Sequence, residues 1–232
     1  MTPEKYEQQY AVFKSEAMSD NRFCVNDSDK RAYIHDDIPG TPYDDHYLYH
    51  TAWAAHRIYQ NRPSQHVDIS SFTYFSAMIS AFVPVTFLDY RPINICIDNY
   101  KTGQADLTKL TISDNSVESL SCMHVIEHIG LGRYGDTISA TGDKIAANEL
   151  KRVLAPGGRL YMVLPIAGMC RVYFNAHRVY TFDHIQQLFQ GLTLKSNALL
   201  CDQPGPFVVN ADKNIFDKQS YGCGCFEFQK PM

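Results

Sequence analysis

The chain has 232 residues, 25 of them acidic and 21 basic, for a formal net charge of -4. No run of Lys and Arg could track a phosphate backbone, which argues against nucleic acid as a partner, and no stretch approaches the ~18 apolar residues of a membrane span. A chain of this length buries roughly 70–75% of its unfolded surface and holds a core without disulfide staples, so the seven cysteines read as reduced structural thiols.

The opening MTPEKYEQQYAVFK lacks the basic and apolar regions of a secretory signal, and the expected location is the cytoplasm. Residues 1–44 are polar and broken by Pro39, Gly40 and Pro42, which predicts an irregular N-terminal extension ahead of one α/β domain over 45–232. Asp45 is a candidate N-cap for a helix over 46–61, with apolar or aromatic residues at Tyr47, Leu48, Ala52, Ala55, Ile58 and Tyr59 and a stop before Pro63. Short apolar runs follow at HVDIS (66–70), VTFLD (85–89), NICID (94–98), VESLSCMHVI (117–126) and RLYMVLP (159–165), and these predict buried strands. Helical stretches lie between them at 72–82 and 143–155, the second closed by Pro156, Gly157 and Gly158. A further helix is predicted over 181–191, capped by Thr181 and Gly191. LTLKSNALLC and GCFEFQK supply two more strands. The pattern predicts a mostly parallel central sheet of about seven strands with helices on both faces.

Ligands of an open parallel sheet bind beyond the carboxyl ends of its strands, so the residues closing each apolar run come first. Asp68 lies in the first run, and Asp89 ends the second 21 residues later, the usual offset for a carboxylate on a ribose diol. Asp106 follows the third run, and His124 ends the fourth.

VDISS, LDYRP, ADLTKL, DNSVESLSCMHVIEHIG, ELKRVLAPGGRL and YMVLP occur in the motif order of class I S-adenosylmethionine (SAM) dependent methyltransferases, and the chain resembles that superfamily. More closely, HYLYHTAWAAHRI, HVDISS, HVIEHIGLGRYGD and FNAHRVYTFDHI resemble a domain-of-unknown-function family within it, over roughly residues 44–192. The resemblance implies a Rossmann-like fold, SAM as cofactor, Asp68 near the methionine end, Asp89 on the ribose and Asp106 near the adenine amine. The superfamily usually carries Gly-x-Gly after the first acidic residue, and the nearer family reads D-I-G-S. Here Ser70 and Ser71 occupy that turn. A serine serves there if its φ stays negative, because a Cβ in the left-handed region costs about 1–2 kcal/mol.

At the exit of the fourth run, Glu127 and His128 could take a proton from an acceptor hydroxyl or amine. Glu127 equally suits a helix N-terminus for its charge alone. His128 is the first candidate base, followed by Glu127 and His177. Arg133 and Tyr134, in the glycine-rich GLGRYGD, with Asn175 and Arg178 after the fifth strand, are candidate contacts for an anionic or hydroxyl-rich small molecule, since guanidinium forks match carboxylate and phosphate; surface salt bridging explains the arginines equally well.

HVIEH at 124–128 also fits the H-x-x-E-H zinc peptidase pattern, but its first histidine follows a strand, and a structural His124 is the expectation. The C-x-C of Cys223 and Cys225 lacks nearby companions in sequence, so no metal site is expected. The sequence therefore points to methyl transfer from SAM to an O or N acceptor on a small, polar, sugar-like metabolite. One rival is a methyltransferase fold that binds a ligand or partner without catalysis. A nicotinamide oxidoreductase shares the second-strand carboxylate but lacks G-x-G-x-x-G.

Overall fold

The computed structural model describes residues 1–20 and 22–232. Its contacts cluster into two units, Met1–Tyr43 and Asp44–Met232, and each is described by itself.

The first unit contains a helix that sequence reading missed. α1 (Pro3–Ala17) starts at Thr2, whose hydroxyl accepts from the Lys5 amide, with a proline in its first turn. Prolines are tolerated there because the missing N–H has no helical partner in any case. None of its residues is buried, so it lacks the apolar stripe by which helices are recognised. Ion pairs of Lys14 with Asp27 and Lys30 with Glu7 join it to the segment that follows.

The second unit is built on an eight-stranded sheet in the order β3-β2-β1-β4-β5-β10-β8-β9. β1 (His66–Ile69), β2 (Val85–Asp89), β3 (Tyr100–Gln104), β4 (Val117–Met123) and β5 (Leu154–Ile166) run parallel. β10 (Gly222–Gln229) is antiparallel to β5 and to β8 (Thr193–Leu200), and β9 (Phe207–Val209) adds an edge strand beyond the expected seven. β6 (Arg171–Tyr173) and β7 (His177–Val179) form a separate hairpin. Among the described residues no helix is long and apolar enough to cross a membrane.

Side-chain alternation along the strands divides the core. On β5, Leu160, Met162 and Leu164 join the cluster beneath α4 (Gly142–Val153) and α5 (Phe182–Leu188), whereas Tyr161 and Val163 join the cluster beneath α2 (Asp45–Asn61) and α3 (Thr73–Ile79). On β10 the same period sends Phe226 and Phe228 to the first face, and Cys223 and Cys225 to the second. Trp53 is a core residue of α2. α2 is also pinned by charge: fully buried Glu227 accepts from Arg57 and Asn61 of α2 and from Arg159 of β5.

Two elements depart from expectation. NICID at 94–98 is not a strand; the third strand is YKTGQ, six residues further on. β3 lies at the sheet edge, where polar residues are tolerated, and Gly103 has its Cα packed so closely on Leu88 that a Cβ would sit 2.9 Å from the Leu88 side chain. The Pro-Gly-Gly after α4 lies inside β5 rather than capping the helix. Gly157 there has φ +77°, and the β4–β5 register shifts between Val117 and Ser119, as a bulge requires.

Candidate functional site

Two cavities of about 530 and 470 Å³ lie at the carboxyl ends of β1, β2 and β4. Both are bordered by Ser70, Asp89, Arg91, His124, His128 and Tyr134, so they are two lobes of one cleft. Volumes of this size suit small ligands. The first lobe is polar, adding His46, Ser71, Glu127, Arg133, His177 and Tyr221. The second is more apolar, adding Leu107, Val125, Ile129 and Ile138, with Asp106 at its edge.

Ser70, in the turn after β1, borders both lobes. The Ser71 amide donates to Asp68 Oδ1 at 3.0 Å, and the Met123 amide donates to Ser71 Oγ at 3.1 Å, tying the turn to β4. Ser70 has φ +56°. The condition of a negative φ is not met: the backbone keeps the left-handed conformation that glycine would adopt freely, and serine bears the cost. His124, at the end of the neighbouring β4, also has φ +56°. Strained residues of this kind persist where the surroundings over-determine them, and they concentrate at ligand sites.

Asp68 is fully buried and lines neither lobe. The Ser121 hydroxyl donates to its Oδ2, and His66 bridges Ser119 and Ser121 from behind. Because Ser121 spends its proton on Asp68, its oxygen accepts from His66 Nε2, leaving Nδ1 to accept from Ser119. Burial pushes the Asp68 carboxyl up to about 7, although Ser121 and Ser71 oppose the shift, and burial pushes His66 down to about 3. Asp68 therefore shapes the turn and does not border the cleft.

Asp89 and Asp106 do line the cleft. Asp89 Oδ1 accepts from the Arg91 amide at 2.7 Å, and Asp106 Oδ1 accepts from the amide and hydroxyl of Thr108. Each carboxylate uses one oxygen locally, and the other makes no hydrogen bond among the described residues.

Along the polar lobe, Ile126–His128 forms a short 3-10 helix that carries Glu127 and His128. His128 Nδ1 lies 2.6 Å from the Ala176 carbonyl, which requires Nδ1 to carry the proton and leaves Nε2 as the basic atom. Arg133 donates to the same carbonyl at 3.1 Å. Glu127 is 1% exposed; its Oε1 lies 3.0 Å from His124 Nδ1 and 3.8 Å from His128 Nε2. Burial opposes a charge on His124, but the Cys223 sulfur and the Glu127 carboxylate outweigh it and hold His124 well above the ordinary imidazole value. Burial, then the neighbouring His128, depress His177.

Arg178 does not face the cleft. It is 6% exposed, with its guanidinium donating to the carbonyls of Ile129, Glu127 and Ser139, so it clamps the loop beneath the site. Asn175 is exposed in the β6–β7 hairpin and lines neither lobe. Sequence reasoning missed His46, Arg91 and Tyr221 in the polar lobe, and Leu107, Val125 and Ile129 in the apolar one. Arg91 was the most accessible of these, two residues after Asp89 in the LDYRP block.

The fold that carries this cleft matches solved structures. The N-methyltransferase NodS from Bradyrhizobium japonicum, solved with S-adenosylhomocysteine, is 13% identical with a TM-score of 0.56, covering 96% of this chain and 98% of its own. The chain has the class I methyltransferase fold. The 1,6-didemethyltoxoflavin-N1-methyltransferase of Burkholderia thailandensis, bound to its substrate and S-adenosylhomocysteine, shares this fold at 12% identity and TM-score 0.56, over 100% of this chain and 92% of that one. So does the [4+2]-cyclase SpnF, at 12% identity and TM-score 0.54 over 81% of each chain. Residues 106–201 match the family described as "Caenorhabditis protein of unknown function, DUF268". No protein of curated function matches the chain in sequence. Within the class I methyltransferase fold, β9 is the addition that brings the observed sheet to eight strands.

Proposed function

We propose that this chain binds SAM across the two-lobed cleft and transfers its methyl group to an oxygen or nitrogen of a small, polar, sugar-like metabolite. The observation that carries the reading is the continuity of an apolar lobe, edged by Asp89 and Asp106, with a polar lobe that holds a histidine fixed in one tautomer. NodS and the toxoflavin enzyme were both solved with S-adenosylhomocysteine, which supports the choice of cofactor.

The residues fit the cofactor. Leu107, Val125 and Ile129 offer apolar walls for an adenine, Asp106 an acceptor for its amine, and Asp89 a free carboxylate oxygen for a ribose diol. The left-handed φ of Ser70 preserves the path of the backbone where a glycine is expected. Bound SAM supplies an electrophilic methyl group on a sulfonium with a neutral thioether as leaving group.

The chain's own contribution is positioning and proton acceptance. His128 Nε2 accepts the proton of the acceptor hydroxyl or amine, while Nδ1–H stays on the Ala176 carbonyl. Glu127 orients His124, and its charge favours the imidazolium that forms on His128. Arg133, over the Tyr134 ring at 5.2 Å, and His177 offer polar contacts to the acceptor.

Isothermal titration with SAM and S-adenosylhomocysteine tests the reading, and saturable binding of both is expected. Binding without methyl transfer to any acceptor would favour the second reading, a ligand-binding protein, which draws on the serine turn in place of glycine.

A further inference from the structure

Three metal-ligating side chains converge at the base of the polar lobe from separate elements. His46 stands in the first turn of α2, His124 directly after β4, and Cys223 near the start of β10. One ligand atom of each lies within 4.8 Å of the other two. His124 Nε2 is 3.5 Å from Cys223 Sγ. Zinc bonds of about 2.1 Å to nitrogen and about 2.3 Å to sulfur, at a tetrahedral angle, separate such a pair by about 3.6 Å. That edge already has the length an ion needs. The other nitrogen of His124, Nδ1, lies 3.0 Å from Glu127 Oε1, and a carboxylate behind a histidine ligand is what fixes its tautomer and raises its basicity. Glu127 is buried, and its Oε2 has no hydrogen-bond partner.

We propose that His46, His124 and Cys223 bind one zinc-like divalent cation, with a fourth position open to the polar lobe. Two imidazoles and a thiolate select zinc over magnesium or calcium, and three protein ligands with an open position is the pattern of sites that hold water or a substrate oxygen. The cation takes the place of the Cys223 thiol proton and of the proton on His124 Nε2, so binding releases protons from both groups to solvent.

The same contacts invite a different reading, a Cys-His-Glu nucleophile. Cys223 is 1% exposed and lines neither lobe, so a substrate could not reach its sulfur. Burial also pushes its thiol well up, the reverse of what a nucleophile requires. An ion entering between His46 and His124, which do line the lobe, needs no such access. The site stands independently of SAM binding.

The test uses the full chain, stripped with a chelator and titrated with Co²⁺ under reducing conditions. One equivalent should bind with a thiolate-to-cobalt charge-transfer band and tetrahedral d–d absorption, both removed by Zn²⁺. C223S should abolish the charge-transfer band. H46A, which removes a half-buried ring outside both core clusters, should weaken Co²⁺ binding at least tenfold, and E127Q should weaken it about 10–100-fold. A wild type without the band, a band that survives C223S, or an affinity unchanged in H46A would overturn the proposal. So would rapid iodoacetamide labelling of Cys223 that Co²⁺ does not slow. Cobalt binding with silent S-adenosylhomocysteine titrations would remove the methyltransferase reading and keep this site; the converse would do the opposite.

Discussion

Replacing Ser70 with glycine should stabilise the protein, although glycine normally weakens a fold. Ser70 sits at φ +56°, where a Cβ costs about 1–2 kcal/mol. Glycine removes that cost but gives the unfolded chain extra freedom worth about 0.5–1 kcal/mol. The bond tying the turn to β2, from the Ser70 amide to the Leu88 carbonyl at 2.8 Å, is backbone and survives the change. The Ser70 hydroxyl reaches the same carbonyl only at 3.4 Å, so little is lost with it. The net gain for S70G is therefore between about 0 and 1.5 kcal/mol. S70A should be near neutral, and S70V should lose about 1 kcal/mol or more, because a β-branched residue at positive φ is a true outlier. Urea unfolding reads these as shifts in midpoint at constant slope. A loss of about 1 kcal/mol in S70G, the ordinary penalty of an inserted glycine, would refute the reasoning.

Three further outcomes follow from the buried charges and the candidate base. Asp68 has its pKa raised to about 7 by burial, so its contribution to stability is complete below the unfolded value of about 3.9 and is lost as pH rises through 7. D68N should remove that loss, so its stability relative to the wild type should grow by about 1.4 kcal/mol for each tenfold fall in proton concentration between roughly pH 4 and 7; a difference that stays flat with pH would contradict it. E227A should cost about 3 kcal/mol in urea melts, the low end for a broken buried pair, because Arg57 and Arg159 keep partial solvent access; a loss below about 1 kcal/mol, the range of exposed pairs, would show that the network does not hold α2. H128N should slow methyl transfer about 10²–10⁴-fold with S-adenosylhomocysteine affinity unchanged, and equal rates would remove His128 as the base.

The sheet's interior was legible because buried parallel strands are continuous apolar runs: β1, β2, β4 and the core of β5 lie within HVDIS, VTFLD, VESLSCMHVI and RLYMVLP, although β4 ends at Met123, before the last three residues of its run. β3 was not, because it is an edge strand whose YKTGQ gives the core only Tyr100, while NICID imitates a strand by composition alone. α1 escaped because none of its residues is buried, so no apolar stripe marks it. In the cleft, Asp89 and His124 were legible as residues that close apolar runs, a position the topology itself makes functional, while Asp106 and His128 were reached as residues that follow them. Arg178 was misplaced because no local pattern shows that its guanidinium returns to the carbonyls of Ile129 and Ser139. The grouping of His46, His124 and Cys223 joins residues as far as 177 positions apart, and only the sheet order and the side-chain alternation of β10 bring them together.

The proposed function rests on nucleoside recognition at a turn built from serines. A crystal structure of the chain with S-adenosylhomocysteine tests it directly. Adenine is expected between Leu107 and Ile129, with the ribose hydroxyls on Asp89 and Ser70 still left-handed beside the ligand. An apolar lobe without ligand density at saturating concentration, or a ligand held elsewhere, would contradict it.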